Sequence, residues 1–180
     1  MNRIEIPLSK TKMLLLLFGA IGFVVLGTLF TFNPDKFVSP ITRNPEIIRI
    51  AGIASVLFFG AVGIYGTRKM FDKNVGLIID ENGIFDNTNA SSVGLIKWID
   101  ITEIKTEQVA STKFLLIYTD NPDFYLDKVK GFKKKLMEGN NKMYGTPLSI
   151  TSTTLKYNFN DLEKILKNKL IEQREKMPNR

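Results

Sequence analysis

Residues 13–32 read MLLLLFGAIGFVVLGTLFTF, twenty consecutive positions without a charged side chain. At 1.5 Å per residue, a helix of this length is about 30 Å long, which is the hydrocarbon thickness of a bilayer. A cleaved signal peptide is disfavoured, because its apolar core usually has only about 7–15 residues and no small-x-small site precedes Asn33. A buried core helix is disfavoured because so short a chain can scarcely enclose it. The stretch therefore predicts a membrane-spanning helix.

A second apolar run lies a short distance downstream. Residues 50–67 read IAGIASVLFFGAVGIYGT, and Ile47 and Ile48 can extend the helix, so that a second span over about residues 48–67 is predicted. The intervening residues, NPDKFVSPITRNPE at 33–46, contain three prolines that end one helix and precede the next. Two spans joined by so short a loop predict a transmembrane hairpin within residues 1–74.

The distribution of basic residues predicts the orientation of this hairpin. The chain has a net charge of +7, and most of the excess flanks the two apolar runs. Six basic residues lie outside the hairpin loop, namely Arg3, Lys10, Lys12, Arg68, Lys69 and Lys73, against Lys36, Arg43 and Arg49 in or beside it. Positive charge marks the cytoplasmic side of membrane proteins, so both termini are predicted to be cytoplasmic. Because the charge is explained in this way, nucleic acid is not an expected partner.

Small residues recur along the second apolar run. Ala51 and Ser55 have small-xxx-small spacing, and Gly60, Gly63 and Gly66 follow at every third position. Packing against the first helix is the preferred explanation, and association with a second copy of the chain is the alternative. Arg49 lies at the end of the second span, where its side chain can reach the interface, and neither span has a further Asp, Glu, Lys or Arg, so an ion or proton pathway is not expected.

From Val75 onward the apolar pattern changes to short alternating runs followed by a terminal helix, which predicts a separate α+β domain over residues 75–180. Asn82-Gly83 favours a tight hairpin turn between the first two strands. The predicted strands are 75–80, 83–86, 94–109, 113–119 and 146–155, and the predicted helices are a basic one over 128–138 and a final one that begins at Asn158.

The chain has no cysteine and no histidine. This excludes disulfides, thiolate nucleophiles, Cys/His zinc sites and imidazole acid–base catalysis. The carboxylates of Asp80, Glu81 and Asp86 lie close in sequence, but they lack the spacing of a calcium loop and are interpreted as turn residues. No catalytic residue, metal site or cofactor is predicted.

Two motifs carry a resemblance to a known family. The strand Ile96-x-Trp98-x-Asp100-Ile101 and the turn Gly145-Thr146-Pro147 with its following strand, taken in this order after two apolar helices, resemble an uncharacterised bacterial family with two transmembrane helices and a pleckstrin-homology-like (PH-like) domain. The resemblance covers nearly the whole chain. It implies a strongly bent antiparallel sheet or barrel closed at one end by the C-terminal helix, and a location in the bacterial cytoplasmic (inner) membrane. It brings no catalytic residues.

The candidate binding residues lie in the predicted basic helix. Residues 75–127 have a net charge of −6, whereas residues 128–180 have a net charge of +8. The two halves can complement each other within one fold, or the lysines can face anionic lipid headgroups. The lysines in question are Lys128, Lys130, Lys133, Lys134 and Lys135. Trp98 is interpreted as a core residue rather than a ligand-stacking one, and Asp100 as a structural residue that bonds nearby backbone.

The pattern as a whole favours a membrane-anchored interaction module that binds a protein partner or anionic lipid headgroups. One alternative is an enzyme at the membrane surface, which would have to use clustered carboxylates or lysines in a pocket. Another alternative is a protective membrane protein that neutralises a toxin. The sequence does not separate this last function from the first.

Overall fold

The computed structural model describes residues 3–110 and 112–176. The chain divides into two compact units, one of Lys10–Lys73 and the other of Met1–Ser9 together with Asn74–Arg180. Residues 1–2, 111 and 177–180, which were included in the predicted hairpin and domain segments, lie outside the described part.

The first unit consists of two helices, α1 (Lys10–Phe32) and α2 (Pro45–Met70), joined through a short 3₁₀ turn at Pro34–Phe37. Both helices are long and apolar enough to cross a membrane. Only 17% and 11% of their most apolar segments are buried, whereas the core helix of a soluble protein is mostly buried. Asn44 caps α2, because its side chain accepts a hydrogen bond from the Glu46 N–H at 2.9 Å.

The two helices of the hairpin approach each other most closely at two glycines. A Cβ atom on Gly52 would lie 2.6 Å from the carbonyl oxygen of Gly27, so only glycine fits there. Near this contact, Ser55 Oγ donates to the Phe23 carbonyl at 3.0 Å, and Phe23 and Phe59 stack with ring centroids 4.2 Å apart. The predicted packing of small residues of the second helix on the first is therefore found at Ser55.

Gly60 and Gly66 do not take part in that packing, and Gly63 faces only Leu17 of the first helix. No atom lies within 4 Å of a Cβ built on Gly60 or Gly66, and the nearest to one on Gly63 is Leu17 Cδ1 at 3.9 Å. The expectation of packing against the first helix is wrong for Gly60 and Gly66, because the helices meet most closely at Gly27 and Gly52 and leave this part of α2 open.

The second unit begins before the hairpin. Strand β1 (Ile4–Ile6) pairs antiparallel with β2 (Leu77–Ile79), with Ile4 opposite Ile79 and Ile6 opposite Leu77. Ile6 is 1% exposed, so β1 is part of the core. The sequence predicts that all of residues 1–74 belong to the hairpin segment. The structure instead inserts both apolar helices into the connection between the first two strands.

The strands form two antiparallel sheets. The first has the order β1-β2-β3-β4, in which β3 is Gly83–Asp86 and β4 is Gly94–Lys97. The second has the order β5-β6-β7, from Ile101–Val109, Thr112–Thr119 and Leu148–Thr151. A 3₁₀ turn at Trp98–Asp100 divides the strand that was predicted over 94–109. The strands in the described residues form two sheets and no closed barrel, which corrects that part of the expectation.

Three helices complete the domain, α3 (Pro122–Asp127), α4 (Gly131–Tyr144) and α5 (Phe159–Lys176). The basic helix begins and ends later than the predicted 128–138, and it stops at Gly145, whose φ of 76° suits glycine. The predicted start of the last helix at Asn158 is confirmed, because Asn158 Oδ1 accepts from the Asn160 N–H at 2.8 Å. The inner side of α5 is buried and includes Leu162, Leu166 and Leu170.

Candidate functional site

Helix α4 presents an exposed face that combines apolar and basic side chains. Met137 is fully buried and fixes the inner side of the helix. On the opposite side, Phe132 and Met143 are 74% and 72% exposed. At 100° per residue, the exposed Lys135 and Lys142 lie about 60° and 80° to one side of Phe132 around the helix. We call Phe132, Lys135, Gly139, Lys142 and Met143 the outer face of α4.

The domain holds α4 in place through side chains of the second sheet and the turn after the helix. Tyr118 of β6 donates from its hydroxyl to the Tyr144 carbonyl at 2.9 Å. Thr146, just after the helix, donates to the Ile117 carbonyl. Because these bonds fix the C-terminal end of α4 and Met137 fixes its middle, the outer face is presented on a supported helix.

The five lysines singled out from the sequence do not share one face. Lys135 lies on the outer face of α4, and Lys130 is exposed just before the helix. Lys133 and Lys134 are half-buried on its flanks. Lys128 follows α3 and lies outside α4.

Two of these lysines already have partners within the domain. Lys128 Nζ lies 4.0 Å from the centre of the Phe124 ring, in a cation–π contact. Lys134 Nζ lies 3.0 Å from Asp127 Oδ1, and the hydrogen bond to this carboxylate raises the pKa of Lys134. These contacts reduce what Lys128 and Lys134 can offer to a ligand.

Four residues of the outer face are not among the binding residues predicted from the sequence, namely Phe132, Gly139, Lys142 and Met143. With the helix taken from residue 128, Val129, Phe132 and Leu136 have the spacing of one apolar side, which predicts that Phe132 faces inward. Because the helix begins at Gly131, Val129 is not part of it and the buried position is Met137. Gly131 is the residue from which the outer face could have been predicted. Its φ is 62°, which favours glycine, and a helix that begins at Gly131 turns a different side toward the core than one that begins at residue 128.

Asp100 takes part in a structural contact rather than an exposed site. Its Oδ2 accepts from the Tyr125 hydroxyl at 2.7 Å, and that hydroxyl also accepts from the Lys97 N–H at 3.4 Å. Burial and the hydrogen bond to Asp100 raise the pKa of Tyr125, so the phenol stays neutral and remains the donor. Asp100 thus bonds a side chain, where a backbone bond had been expected.

Trp98 and the carboxylates of the first hairpin also have structural partners. Trp98 is 3% exposed and its Nε1 donates to the Asp80 carbonyl at 2.7 Å, which confirms the core assignment. The Asp80 carboxylate accepts the Asn82 N–H at 2.8 Å, and the Asp86 carboxylate accepts the Thr88 N–H at 2.9 Å. Within residues 3–110 and 112–176, no group of three or more Asp or Glu side chains is placed to hold a metal ion.

These observations define the class of the chain as an α+β domain of two antiparallel sheets, with two potential membrane-spanning helices inserted after its first strand. In comparisons with protein-family models, curated proteins and solved structures, none matches the chain.

Proposed function

We propose that the chain is a membrane-anchored module of the PH-like type, and that the outer face of α4 binds anionic lipid headgroups at the membrane surface. The observation that carries the proposal is the exposure of Phe132 and Met143 beside Lys135 and Lys142 on a helix whose other side is buried. Apolar side chains next to lysines are typical of helices that lie in the membrane interface.

The anchoring part of the proposal follows from the strand pairing. Since β1 and β2 are neighbours in one sheet, the start of α1 and the end of α2 return to the same domain. Two spanning helices therefore form a hairpin with both ends on one side of the membrane. The connections between the strands and the helices are residues 7–9 and 71–76, so the domain is tethered to the hairpin at both ends by short segments.

The order of the strands supports the PH-like part. A run of four consecutive antiparallel strands is followed by a run of three and by a helix whose leucines enter the common core. Two antiparallel sheets followed by a C-terminal helix are consistent with a PH-like arrangement, and this supports the proposal.

The expected contribution of each group is modest and additive. A basic residue near an anionic surface contributes about 1 kcal/mol, which falls with added salt. Lys135 and Lys142 supply this attraction, while Phe132 and Met143 supply apolar area. Because the hairpin already holds the domain at the membrane, contacts of this size suffice to orient it.

The orientation of the module is proposed to be cytoplasmic, from the excess of basic residues at the hairpin ends. A cysteine placed at Ser39 in the loop or at Asn141 in α4 has no background, because the chain lacks cysteine. We expect a membrane-impermeant maleimide to label intact cells at Ser39 and not at Asn141. The reverse pattern would place the domain on the outer side.

The headgroup contact is tested with the full chain in lipid nanodiscs. Phe132→Cys is labelled with an environment-sensitive fluorophore, and its emission is compared in phosphatidylcholine and in mixtures with phosphatidylglycerol. We expect a blue shift that grows with phosphatidylglycerol and is lost in Lys135→Glu/Lys142→Glu. The matched control is Lys156→Glu/Lys164→Glu, which changes the net charge equally at exposed lysines outside α4.

Equal emission in both lipids would overturn the headgroup proposal. It would leave a protein partner as the function to pursue for the same exposed face.

A further inference from the structure

An open groove runs along one side of the helical hairpin. Its volume is about 570 Å³, within the range of ligand pockets. Leu17, Ala20 and Val24 of α1 form one wall, and Gly60 and Gly63 of α2 form the other. Thr67 and Arg68 lie at its end. All of these residues belong to the helical unit.

The groove exists because α2 has glycines where a side chain would otherwise fill the space. A Cβ on Gly60 would meet no atom within 4 Å, and one on Gly63 would only touch Leu17. At Gly27 and Gly52, in contrast, atoms of the neighbouring helix occupy the space that a side chain would need. The hairpin is therefore tightly packed around Gly52 and open around Gly60.

The only charged side chain that lines the groove among the described residues is Arg68. Arg68 is exposed, and within residues 3–110 and 112–176 no carboxylate lies within ion-pair distance of it. From Arg68 to Gly60 the helix rises about 12 Å, close to the roughly 15 Å of one leaflet's hydrocarbon. The cation at the end of the groove complements the negative phosphate of a phospholipid. The length of the apolar groove, about one leaflet, suits an acyl chain.

We propose that the groove binds one glycerophospholipid, with an acyl chain along Gly60 and Gly63 and the phosphate at Arg68. Guanidinium groups bind phosphate through paired N–H donors, which a single flexible ammonium does not reproduce. This site is separate from the outer face of α4. It rests on the proposed insertion of the hairpin into a bilayer.

A helix from a second copy of the chain fits the groove less well. Gly60, Gly63 and Gly66 are three residues apart, so Gly60 and Gly66 point about 120° apart around the helix. Close helix pairs use small residues four apart, which stay on one side; among the described residues that line the groove only Gly63 and Thr67 have this spacing, and Thr67 lies at its end beside Arg68. The walls also carry the branched side chains of Leu17 and Ile64.

The test is native mass spectrometry of the full chain in detergent micelles titrated with phosphatidylglycerol. Gly63→Leu fills the groove and Arg68→Gln removes the guanidinium. We expect Arg68→Gln to weaken binding of the first lipid by about tenfold, the effect of losing one charge-assisted contact. We expect Gly63→Leu to weaken binding as well, because its side chain would occupy the path of the acyl chain. The matched controls are Gly22→Leu, at a glycine with open space outside the groove, and Arg43→Gln in the hairpin loop; both should bind as the wild type does.

Unchanged lipid binding in Gly63→Leu and Arg68→Gln would overturn the proposal. So would a dimer in the wild type that Gly63→Leu abolishes, because the groove would then hold a second copy. If alkaline carbonate extracts the wild type from membranes, the hairpin is not inserted in the bilayer, and both proposals are overturned. Retention in the membrane with no lipid effect would overturn this site alone.

Discussion

Ile6 pairs with Leu77 across the first sheet, although both apolar helices lie between them in the chain. Ile6 is 1% exposed and Leu77 is fully buried. The next residues extend this connection, because Ser9 N–H donates to the Thr154 carbonyl at 2.7 Å and Lys156 N–H donates to the Pro7 carbonyl at 2.9 Å. The segment before the hairpin is thus held on two sides by the domain.

Ile6→Ala is expected to lower the free energy of unfolding of the domain by about 2–4 kcal/mol, because a buried isoleucine leaves a cavity in a core that relaxes only partly. The measurement is denaturant unfolding of the full chain in detergent, followed by the fluorescence of Trp98, the only tryptophan. Glu5→Ala, at the exposed neighbouring position, should lower the free energy of unfolding by less than half of the loss in Ile6→Ala. Equal losses in the two variants would argue against a core role for β1.

A soluble domain is expected only when β1 is retained. Residues 3–9 joined to 74–176 by a flexible linker in place of the hairpin should give a cooperative unfolding transition. Residues 74–176 alone lack Ile6 and leave the edge of β2 unpaired, so they should be less stable or aggregate. The comparison is made by thermal unfolding with near-ultraviolet circular dichroism. Identical transitions in the two proteins would contradict the observed pairing.

Gly52→Ala is expected to separate the helices of the hairpin, because its Cβ would lie 2.6 Å from the Gly27 carbonyl oxygen and 2.8 Å from the Thr31 backbone nitrogen. Backbone atoms cannot yield as a flexible side chain can. Cysteines at Phe23 and Phe59, whose rings stack, provide a cross-linking reporter. Cross-linking should fall in Gly52→Ala and remain in Gly19→Ala, where the added methyl group meets open space.

Tyr125→Phe is expected to destabilise the domain by about 1–3 kcal/mol, because Asp100 loses the hydroxyl donor and the Lys97 N–H loses its acceptor. The measurement is again denaturant unfolding followed through Trp98. Asp100→Asn keeps a carbonyl acceptor for the same hydroxyl and should cost less than Tyr125→Phe. A larger loss in Asp100→Asn would show that the carboxylate charge matters more than this bond.

The stability of α5 is expected to fall in acid. Hydrogen bonds from Lys169 and Lys176 lower the pKa of Glu172 to about 2. An unperturbed glutamate in the unfolded chain titrates near pH 4.3, so this contribution is present above about pH 4.3 and is lost as the pH falls toward 2.

The measurement for this prediction is the melting temperature of the full chain in detergent between pH 6 and pH 2. Glu172→Gln should flatten the profile over that interval, whereas Glu175→Gln, which removes an equal charge from the same helix, should not. Parallel profiles for the wild type and Glu172→Gln would contradict the assignment.

Much of the fold could be predicted because the signals are local. The apolar runs predicted the two helices, Asn82-Gly83 predicted the turn before β3, and Asn158 predicted the start of α5. The strand at Ile4–Ile6 was not predicted, because three residues are too few to show an alternating apolar pattern and because its partner strand, β2, follows the hairpin in the chain. The candidate surface was only partly found, because the side on which each lysine falls depends on where α4 begins.

The sequence by itself determined the two long apolar helices, the change to alternating strands after them, and the lack of cysteine and histidine chemistry, since these depend on composition and on periods of a few residues. Only the tertiary structure decided that β1 belongs to the sheet domain and that Phe132 and Met143 are exposed beside Lys135 and Lys142. It also decided that the neighbouring helix occupies the space beside Gly52 and leaves the space beside Gly60 open. Each of these depends on contacts between segments distant in the chain or on the rotation of a helix against its neighbours. Local sequence preferences do not specify such contacts.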